Sequence, residues 1–305
     1  MKYRITHVTS YNYSESVSLC HNLAHLKLRT QSGQHDVTSQ IRIDPVPTII
    51  REFRDFFGNP VNYFSIQQAH QELTITATSE VEVIAYSLDI VENSIDLINL
   101  SSKNLLDLSW NNISDQLNKY NNNKELMEAK LFTLDSPFVK SNTALRNYAI
   151  SSFSLERPFI DAVTELMGRI HADFTYDPNA TDVATPLDTV LEQRRGVCQD
   201  FAHLAIGCLR ALGLPARYVS GYLETLPPPG VPKLRGADAS HAWFSIYIPQ
   251  IGWLDFDPTN NIRPIGQHIT TAVGRDFGDV TPIKGILYGG GEHTLKVAVD
   301  VENLM

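Results

Sequence analysis

The chain contains 305 residues, of which 43% are hydrophobic and 19% are charged. This composition is typical of a globular protein and excludes a disordered, collagen-like or coiled-coil chain. At about 100–200 residues per domain, the length predicts two domains, or one domain with a large extension. Lysine and arginine number 25 against 34 aspartates and glutamates, which gives a formal net charge of -9. Because this charge has the wrong sign for binding phosphates, we expect no nucleic-acid partner.

The cysteines and the first residues of the sequence indicate the cellular compartment of the protein. The three cysteines, Cys20, Cys198 and Cys208, are odd in number and form no C-x-x-C pair. We therefore expect at least one free thiol, with neither a disulfide framework nor a cysteine zinc site. The opening segment MKYRITHVTSYNY lacks the apolar stretch of a secretory signal, and no segment approaches the ~18 apolar residues of a membrane span. The sequence predicts a cytoplasmic protein with no membrane partner.

Residues 1–90 are predicted to form a β-rich N-terminal domain. In residues 71–84, apolar side chains from Leu73 to Val83 alternate with threonines and glutamates, as in a half-buried antiparallel strand. Shorter strands are predicted at residues 3–13, 23–28 and 40–44. The segment FFGNPV at 56–61 combines Gly, Asn and Pro, so we expect a turn there.

Residues 91–155 are predicted to form a helical connector, and residues 156–305 a second domain. The connector is polar and Asn-rich, with short apolar fragments LINLSSKNLLDL, KELMEAKLF and TALRNYAISS. The second domain begins with an amphipathic helix that starts near Pro158 and continues to Phe174. Further helices precede strands at 216–223, 241–248, 252–257 and 294–301, so this region is predicted to be an α+β domain.

Cys198 is a candidate nucleophile because of its place at the start of a predicted helix. The segment CQDFAHLAIGCLRALG carries one apolar stripe from Phe201 to Leu212 and ends at Gly213. A thiol attacks as its thiolate, and the positive end of a helix dipole favours that form. Cys198 therefore occupies a position that suits nucleophilic chemistry.

An imidazole and a carboxylate are predicted to lie near this thiol. His241 opens one strand and Asp257 closes the next, and the turn at 249–252 folds both towards the same end of the hairpin. Pairing Ile248 with Trp253 leaves His241 and Asp257 as near neighbours, and diagonal cross-strand neighbours lie about 7–8 Å apart. The faces also differ, because Ala242 and the apolar positions that follow it should be buried, which leaves His241 on the opposite, open face.

Each of these residues also has a structural interpretation. Cys198 alone could fill the core, His241 could be a hydrogen-bonding strand residue, and Asp257 before Pro258 could initiate a turn. We favour catalysis because three separate elements bring together a thiol, an imidazole and a carboxylate. Cys208, on the apolar face of the same helix, is expected to be core filling.

Other candidate residues are less suitable by their spacing. His203 lies five positions after Cys198, about 140° round the helix, and so should point away from the thiol. Asp255 shares the face of Asp257 but lies deeper in its strand. The cluster of Cys20 with two nearby histidines, His21 and His25, lacks a second ligand pair, and the glycines at 289–291 lack the strand-then-helix setting of a phosphate loop. We therefore expect no metal site and no cofactor.

The segments RRGVCQDFAHLAIGCLRALGLPARYVSGYL and SHAWFSIYIPQIGWLDFDPTNN resemble the transglutaminase-like superfamily, whose three signature blocks match GVC, HAW and DPT. The resemblance spans about residues 156–290. It implies a papain-like core, in which helices pack on an antiparallel sheet or barrel. The β-rich N-terminal region and the closing GGGEHTLKVAVDV resemble the bacterial branch, whose members are often described as cysteine proteases. By this resemblance Cys198 is the nucleophile, His241 the general base and Asp257 the orienting carboxylate.

The implied reaction is acyl transfer on a peptide or protein substrate through a thioester. Water as acceptor would make the protein a cysteine protease or amidase, which we favour because no lysine-recruiting feature is visible. A primary amine would make it a protein-glutamine transglutaminase, and a non-catalytic peptide-binding module is a third interpretation. The loop at 224–240 is predicted to shape specificity.

The second oxyanion donor is a separate question, since animal transglutaminases place a tryptophan before the cysteine. No tryptophan lies between Trp110 and Cys198 in this chain. The hydroxyl of Tyr176 is our hypothesis for that donor, beside the backbone N–H of Cys198. The alternative is that Tyr176 is a buried aromatic residue whose hydroxyl is already satisfied.

Overall fold

The computed structural model describes residues 1–84, 108–119, 123–224, 238 and 240–304. It contains a seven-stranded antiparallel sheet and a four-stranded antiparallel sheet on which helices pack. The α+β class predicted from the sequence is therefore confirmed. No helix within these ranges is both long and apolar enough to span a bilayer.

The first 83 residues contribute five strands to the larger sheet. These strands are β1 (Lys2–Ala24), β2 (Gln34–Asp44), β3 (Ile49–Arg54), β4 (Pro60–Ile66) and β5 (His70–Val83), arranged in the order β2-β5-β1-β4-β3. Strand β5 buries alternate residues including Leu73, Ile75 and Val81, as its sequence predicts. The segment FFGNPV joins β3 to β4, so the predicted turn is confirmed. The strand predicted at 3–13 is the first half of β1, whereas the strand predicted at 23–28 stops at Ala24.

The end of the chain completes this N-terminal sheet. Strands β12 (Ile283–Gly289) and β13 (His293–Asn303) both pair antiparallel with β1, β13 along its first half and β12 along its second. The sequence pattern places residues 283–303 in the second domain, whereas in the structure they belong to this sheet. Because β1 is 23 residues long, its two edges accommodate four partners, and alternation along a strand does not specify which partner it takes. Val299 and Val301 are buried in the sheet, whereas Leu295 and Val297 on the same predicted face are exposed.

Seven helices are described. They are α1 (Trp110–Asn118), α2 (Lys124–Lys130), α3 (Thr143–Ile150), α4 (Phe159–Asp173), α5 (Leu187–Gln193), α6 (Cys198–Ala211) and α7 (Phe277–Val280). The fragments KELMEAKLF and TALRNYAISS form α2 and α3, as predicted. The fragment at 97–108 lies outside the described residues, except for Leu108. The predicted domain boundary at residue 90 also lies outside them. Ile113, Ala129 and Leu145 join the same hydrophobic core as α6. The described part of the predicted connector is therefore packed into the second domain rather than separate from it.

The second sheet supports helix α6. Its strands are β8 (Ala216–Leu223), β9 (Ser240–Ile248), β10 (Gly252–Phe256) and β11 (His268–Gly274), in the order β10-β9-β8-β11. A short parallel pair, β6 (Thr175–Tyr176) and β7 (Arg195–Gly196), lies just before α6. Helix α6 is buried from Asp200 to Arg210, so it forms the centre of the core.

Strand β9 is buried on both faces, which corrects the expectation of an open face beside His241. Trp243, Ser245 and Tyr247 are all buried on the side opposite Phe244. Trp243 packs with Val219 and Val273, and Phe57 from the N-terminal sheet lies against this group. The turn between β3 and β4 therefore covers this face at Trp243, and His241 stays partly accessible because it lies at the start of the strand.

Gly221 is expected to be essential for the stability of this sheet. It pairs with His241, and a Cβ atom at this position would overlap the carbonyl oxygen of Ile269 and lie 2.5 Å from Cη2 of Trp243. Overpacking of this kind costs about 1–3 kcal/mol, so Gly221→Ala should lower the free energy of unfolding by at least that amount in urea titrations. Gly168→Ala is the matched control, because its nearest neighbour would be 3.6 Å away and a helical Gly→Ala change stabilises by roughly 0.5–1 kcal/mol. Equal effects of the two changes would contradict the close packing at Gly221.

Candidate active site

Cys198 is the first residue of α6, and the residues before it fix its position. The carboxylate of Asp200 accepts hydrogen bonds from the backbone N–H of Val197 at 2.8 Å and from the hydroxyl of Thr181 at 2.6 Å. A Cβ atom on Gly196 would lie 2.6 Å from an oxygen of Asp200, so glycine is required for this close approach. Asp200 therefore caps the helix and holds the thiol at its N-terminal end, where the helix dipole favours negative charge.

His241 and Asp257 meet at the open end of the β9–β10 hairpin. Tyr247 pairs with Trp253 and Phe244 with Phe256, a register one residue away from the pairing assumed in the sequence analysis. This shift brings Asp257 closer to His241. Nε2 of His241 lies 2.7 Å from Oδ2 of Asp257, which is a hydrogen-bond distance.

Asp257 is fully buried and accepts five hydrogen bonds. Oδ2 accepts from Nε2 of His241, from Nε2 of His268 at 2.9 Å and from Nδ2 of Asn260 at 2.7 Å. Oδ1 accepts from the backbone N–H groups of Thr259 and Asn260. Burial by itself would raise the pKa of this carboxyl, but the hydrogen bonds outweigh burial and hold the pKa well below its usual range. The carboxylate is therefore ionised at neutral pH.

The imidazole of His241 lies between this carboxylate and the Cys198 thiol. Burial opposes its charged form, but hydrogen bonds to Asp257 and Cys198, together with their negative charges, raise the pKa of His241 to about 10. Since Nε2 bonds to Asp257, Nδ1 is the ring nitrogen left for the thiol. The structure thus brings together Cys198, His241 and Asp257.

The other two cysteines lie in different surroundings. Cys20 and Cys208 are buried, whereas Cys198 is partly exposed. Burial raises the pKa of the Cys208 thiol to about 12, and burial also raises the pKa of Cys20. Cys198 is therefore the thiol among the three that a reagent or substrate can reach.

The structure also places the residues that the sequence analysis set aside. Asp255 accepts hydrogen bonds from the indole N–H of Trp243 at 3.0 Å and from the hydroxyl of Ser245, so it holds Trp243 rather than His241. His203 is buried and accepts a hydrogen bond from the backbone N–H of Phe277 at 3.1 Å. His21 bonds to the hydroxyl of Tyr63 and His25 to the carbonyl oxygen of Thr281.

Tyr176 lies beside the nucleophile segment. It pairs with Gly196, two residues before Cys198, and its ring packs edge-on against Phe201. The residue is 52% exposed, and its hydroxyl forms no hydrogen bond with the described part of the chain. Burial of the ring and the nearby charge of Cys198 raise the pKa of Tyr176. The alternative interpretation, a buried aromatic residue with a satisfied hydroxyl, is therefore wrong.

Sequence reasoning missed His268, the second imidazole on Asp257. It opens β11, eleven residues after Asp257, and no motif marks it. It reaches the site because β11 lies next to β8 rather than next to β10. The one available signal was its place at the start of an apolar strand, which it shares with His241.

Among the described residues, His241, Asp257 and His268 form the group whose ligand atoms lie within 4.8 Å of one another, as a metal site requires. Their N–O distances of 2.7 and 2.9 Å are those of hydrogen bonds.

The fold and this site define a class of protein: an α+β protein with a thiol at a helix N-terminus, an imidazole on the neighbouring strand and a buried carboxylate. The family model for the transglutaminase-like superfamily matches residues 148–258, which include Cys198, His241 and Asp257. The model for the bacterial transglutaminase-like N-terminal region matches residues 3–82. The chain belongs to the transglutaminase-like superfamily, as its sequence motifs indicate.

Comparisons with individual proteins agree with this assignment. An uncharacterised protein of Mycobacterium tuberculosis is 38% identical over 305 residues, covering 98% of this chain and 92% of that protein. A protein-glutamine gamma-glutamyltransferase of Pseudomonas aeruginosa is 37% identical over 92 residues, which are 30% of this chain and 14% of that enzyme. A crystal structure of a candidate cysteine protease from Cytophaga hutchinsonii has the same fold, with a TM-score of 0.74 at 21% identity, covering 100% of this chain and 91% of that one.

Replacing Asp257 with asparagine should lower the pKa of His241. The neutral amide removes the negative charge that favours the imidazolium, and a neighbouring opposite charge shifts a pKa by about 1–3 units. We therefore expect the pKa of His241 to fall from about 10 by that amount, as measured by NMR titration of its ring protons. Asp255→Asn is the control, because Asp255 bonds to Trp243 and Ser245. An unchanged titration in Asp257→Asn would show that Cys198 alone sets the charge on His241.

Proposed function

We propose that this protein is a thiol-dependent acyltransferase that cleaves amide bonds of peptide or protein substrates. Cys198 would be the nucleophile, His241 the acid and base, and Asp257 the residue that orients His241. The observation that supports this proposal is the position of His241, which bonds to ionised Asp257 at 2.7 Å and also interacts with Cys198. A pKa near 10 keeps this imidazole protonated at neutral pH, so it can stabilise a neighbouring thiolate.

The proposed reaction proceeds in two stages. In the first, Sγ of the Cys198 thiolate attacks the carbonyl carbon of the amide, and the resulting tetrahedral intermediate breaks its C–N bond. The amine leaves with the proton that the His241 imidazolium donates, and a thioester remains. In the second stage neutral His241 accepts a proton from the incoming nucleophile, which attacks the thioester carbonyl and displaces the thiolate.

The acceptor in the second stage distinguishes two candidate activities. We favour water, which makes the protein a cysteine peptidase or amidase, because the described residues around Cys198 show no feature that would recruit a lysine. A primary amine would make it a transglutaminase. This second candidate is favoured by the local similarity to the gamma-glutamyltransferase of Pseudomonas aeruginosa, which covers 30% of this chain.

Iodoacetamide should alkylate Cys198 at pH 7 well before the other two cysteines. Cys20 and Cys208 are buried and burial raises the pKa of each, so both should react slowly. Peptide mapping by mass spectrometry measures the three rates in one sample. His241→Ala should slow labelling of Cys198 but leave the other two unchanged. Equal, slow labelling of all three cysteines would instead favour a non-catalytic binding module.

A peptide library incubated with the protein tests the reaction itself. Gain of one water in the products would indicate hydrolysis, and replacement of ammonia by an added primary amine would indicate transamidation. Cys198→Ala is the control, and both signals should disappear in it. Products that persist in Cys198→Ala would contradict the proposed nucleophile.

Tyr176→Phe should lower turnover while leaving alkylation of Cys198 unchanged. Loss of one oxyanion donor typically lowers kcat by about 10²–10³-fold, whereas alkylation by iodoacetamide creates no oxyanion. The fold should be unaffected, because Tyr176 is half-exposed. Tyr148→Phe is the matched control, since that hydroxyl bonds to Asp173. An unchanged kcat in Tyr176→Phe would remove this hydroxyl from the mechanism.

A further inference from the structure

Asp257 has a second imidazole partner that the proposed reaction does not use. His268 is buried, and its Nε2 lies 2.9 Å from Oδ2 of Asp257, the same oxygen that bonds to His241. A carboxylate only accepts hydrogen bonds, so Nε2 of His268 carries the proton. The other ring nitrogen, Nδ1, is buried and has no hydrogen-bond partner among the residues that the structure describes. Within the described part of the chain, the His268 ring therefore forms one hydrogen bond, the bond to Asp257.

Packing holds the His268 ring in this orientation. The ring makes an edge-on contact with Trp243, with centroids 4.9 Å apart and an interplanar angle of 82°. Trp243 is itself fixed by the hydrogen bond from its indole N–H to Asp255. His241 and His268 approach the same carboxylate oxygen with ring centroids 5.9 Å apart. A rotation of Asp257 away from His241 would therefore break the hydrogen bond with His268 as well.

The strand that carries His268 is fastened to the N-terminal sheet by two side-chain amides. Gln34 accepts from the backbone N–H of Thr270 and donates to the carbonyl oxygen of the same residue, both at 2.8 Å. Asn59 does the same for Val273, at 2.9 and 2.8 Å. Each amide thereby satisfies both backbone groups of one residue, as a neighbouring strand would. We call Gln34 and Asn59 the amide clamp; both side chains are buried.

The clamp acts on an edge of the core sheet. Strand β11 pairs with β8 on one side and is the last strand in the order β10-β9-β8-β11, so its other side has no strand partner in that sheet. Buried backbone groups without partners are costly, and the clamp supplies those partners. His268 lies two residues before Thr270 and five before Val273. The N-terminal sheet thus fixes the strand from which His268 reaches the site.

We propose that His268 is a positioning residue for the Asp257 carboxylate, and that the amide clamp of the N-terminal sheet holds it in place. This inference rests on the proposed function, because orientation of Asp257 matters only if His241 and Cys198 act together. It gives the N-terminal sheet a role in the chemistry of the site, beyond covering Trp243.

The proposal is tested on the full chain with His268→Phe and His268→Gln. Phenylalanine keeps the ring but removes the donor, whereas the amide of glutamine can still donate to Asp257. We expect iodoacetamide to label Cys198 roughly tenfold more slowly in His268→Phe at pH 7, as for a lost hydrogen bond to a charged group, and near the wild-type rate in His268→Gln. His70→Phe is the matched control, because His70 is also buried with one bonded and one unpartnered ring nitrogen, but lies in the N-terminal sheet.

The pH profile of labelling separates positioning from a purely structural role. The hydrogen bond from His268 is one of the causes that lower the pKa of Asp257, with His241 and Asn260 supplying others. Without this bond the carboxylate is held less firmly against His241, so the imidazolium that stabilises the Cys198 thiolate is itself less stable. The pH below which Cys198 loses reactivity should therefore move upwards in His268→Phe and return in His268→Gln. Destabilisation of the fold alone would not produce a shift that glutamine reverses.

The outcomes distinguish this inference from the proposed function. If wild-type Cys198 is labelled no faster than Cys208, the proposed function fails. If wild-type Cys198 is labelled rapidly and His268→Phe matches it in rate and pH profile, only the inference is overturned. Should His268→Phe not fold, as judged by thermal melting, His268→Asn replaces it. Its shorter amide cannot reach Asp257, so labelling as fast as in His268→Gln would overturn the proposal.

A second set of variants tests the clamp. Gln34→Met keeps the length of the side chain but removes both bonds to Thr270, and it should slow labelling of Cys198 less than His268→Phe does. If the clamp acts through His268, the double variant should be no slower than His268→Phe alone. Ser79→Ala is the control, because Ser79 is buried in the same sheet and its hydroxyl bonds to Ser39 at 2.7 Å. Fully additive effects, or an equal effect of Ser79→Ala, would overturn the role of the clamp.

Discussion

The buried carboxylate of Asp257 is the group on which the site depends. A charge in the interior is unfavourable unless hydrogen bonds and opposite charge compensate for the loss of water. Five hydrogen bonds converge on this carboxylate, three from side chains and two from the backbone that follows it. Their combined effect keeps Asp257 ionised, and this buried anion, together with Cys198, raises the pKa of His241.

The architecture explains why so much of the chain is needed for a site of three residues. Helix α6 supplies Cys198, the β9–β10 hairpin supplies His241 and Asp257, and β11 adds His268. The N-terminal region packs Phe57 against Trp243 of β9 and bonds to the free edge of β11 through Gln34 and Asn59. Strands β12 and β13 then return to β1, so the first and the last described strands lie in the same sheet. The two sheets share an interface of buried polar and apolar contacts.

Family membership and chemistry rest on different observations. The family models and the relatives describe what kind of chain this is, and likeness in fold does not by itself specify an activity. The chemical argument comes from the partly exposed Cys198 thiol and from His241, whose imidazole interacts with both Cys198 and Asp257. The other two thiols, by contrast, are buried. Tyr176 is half-exposed and its backbone pairs with Gly196, two residues before Cys198, which is why its hydroxyl is the proposed oxyanion donor.

The sequence by itself determined what local patterns can determine. Period-two alternation predicted β5, the helical stripe predicted α6, and the turn at 249–252 predicted that His241 and Asp257 lie at one end of a hairpin. Partners distant in the chain were decided only by the tertiary structure. Alternation does not reveal that β12 and β13 pair with β1, that β9 is buried on both faces, or that β11 brings His268 to Asp257. The physical reason is that residue spacing encodes the conformation and faces of one segment, whereas the choice of neighbour depends on packing and hydrogen bonding among all segments at once.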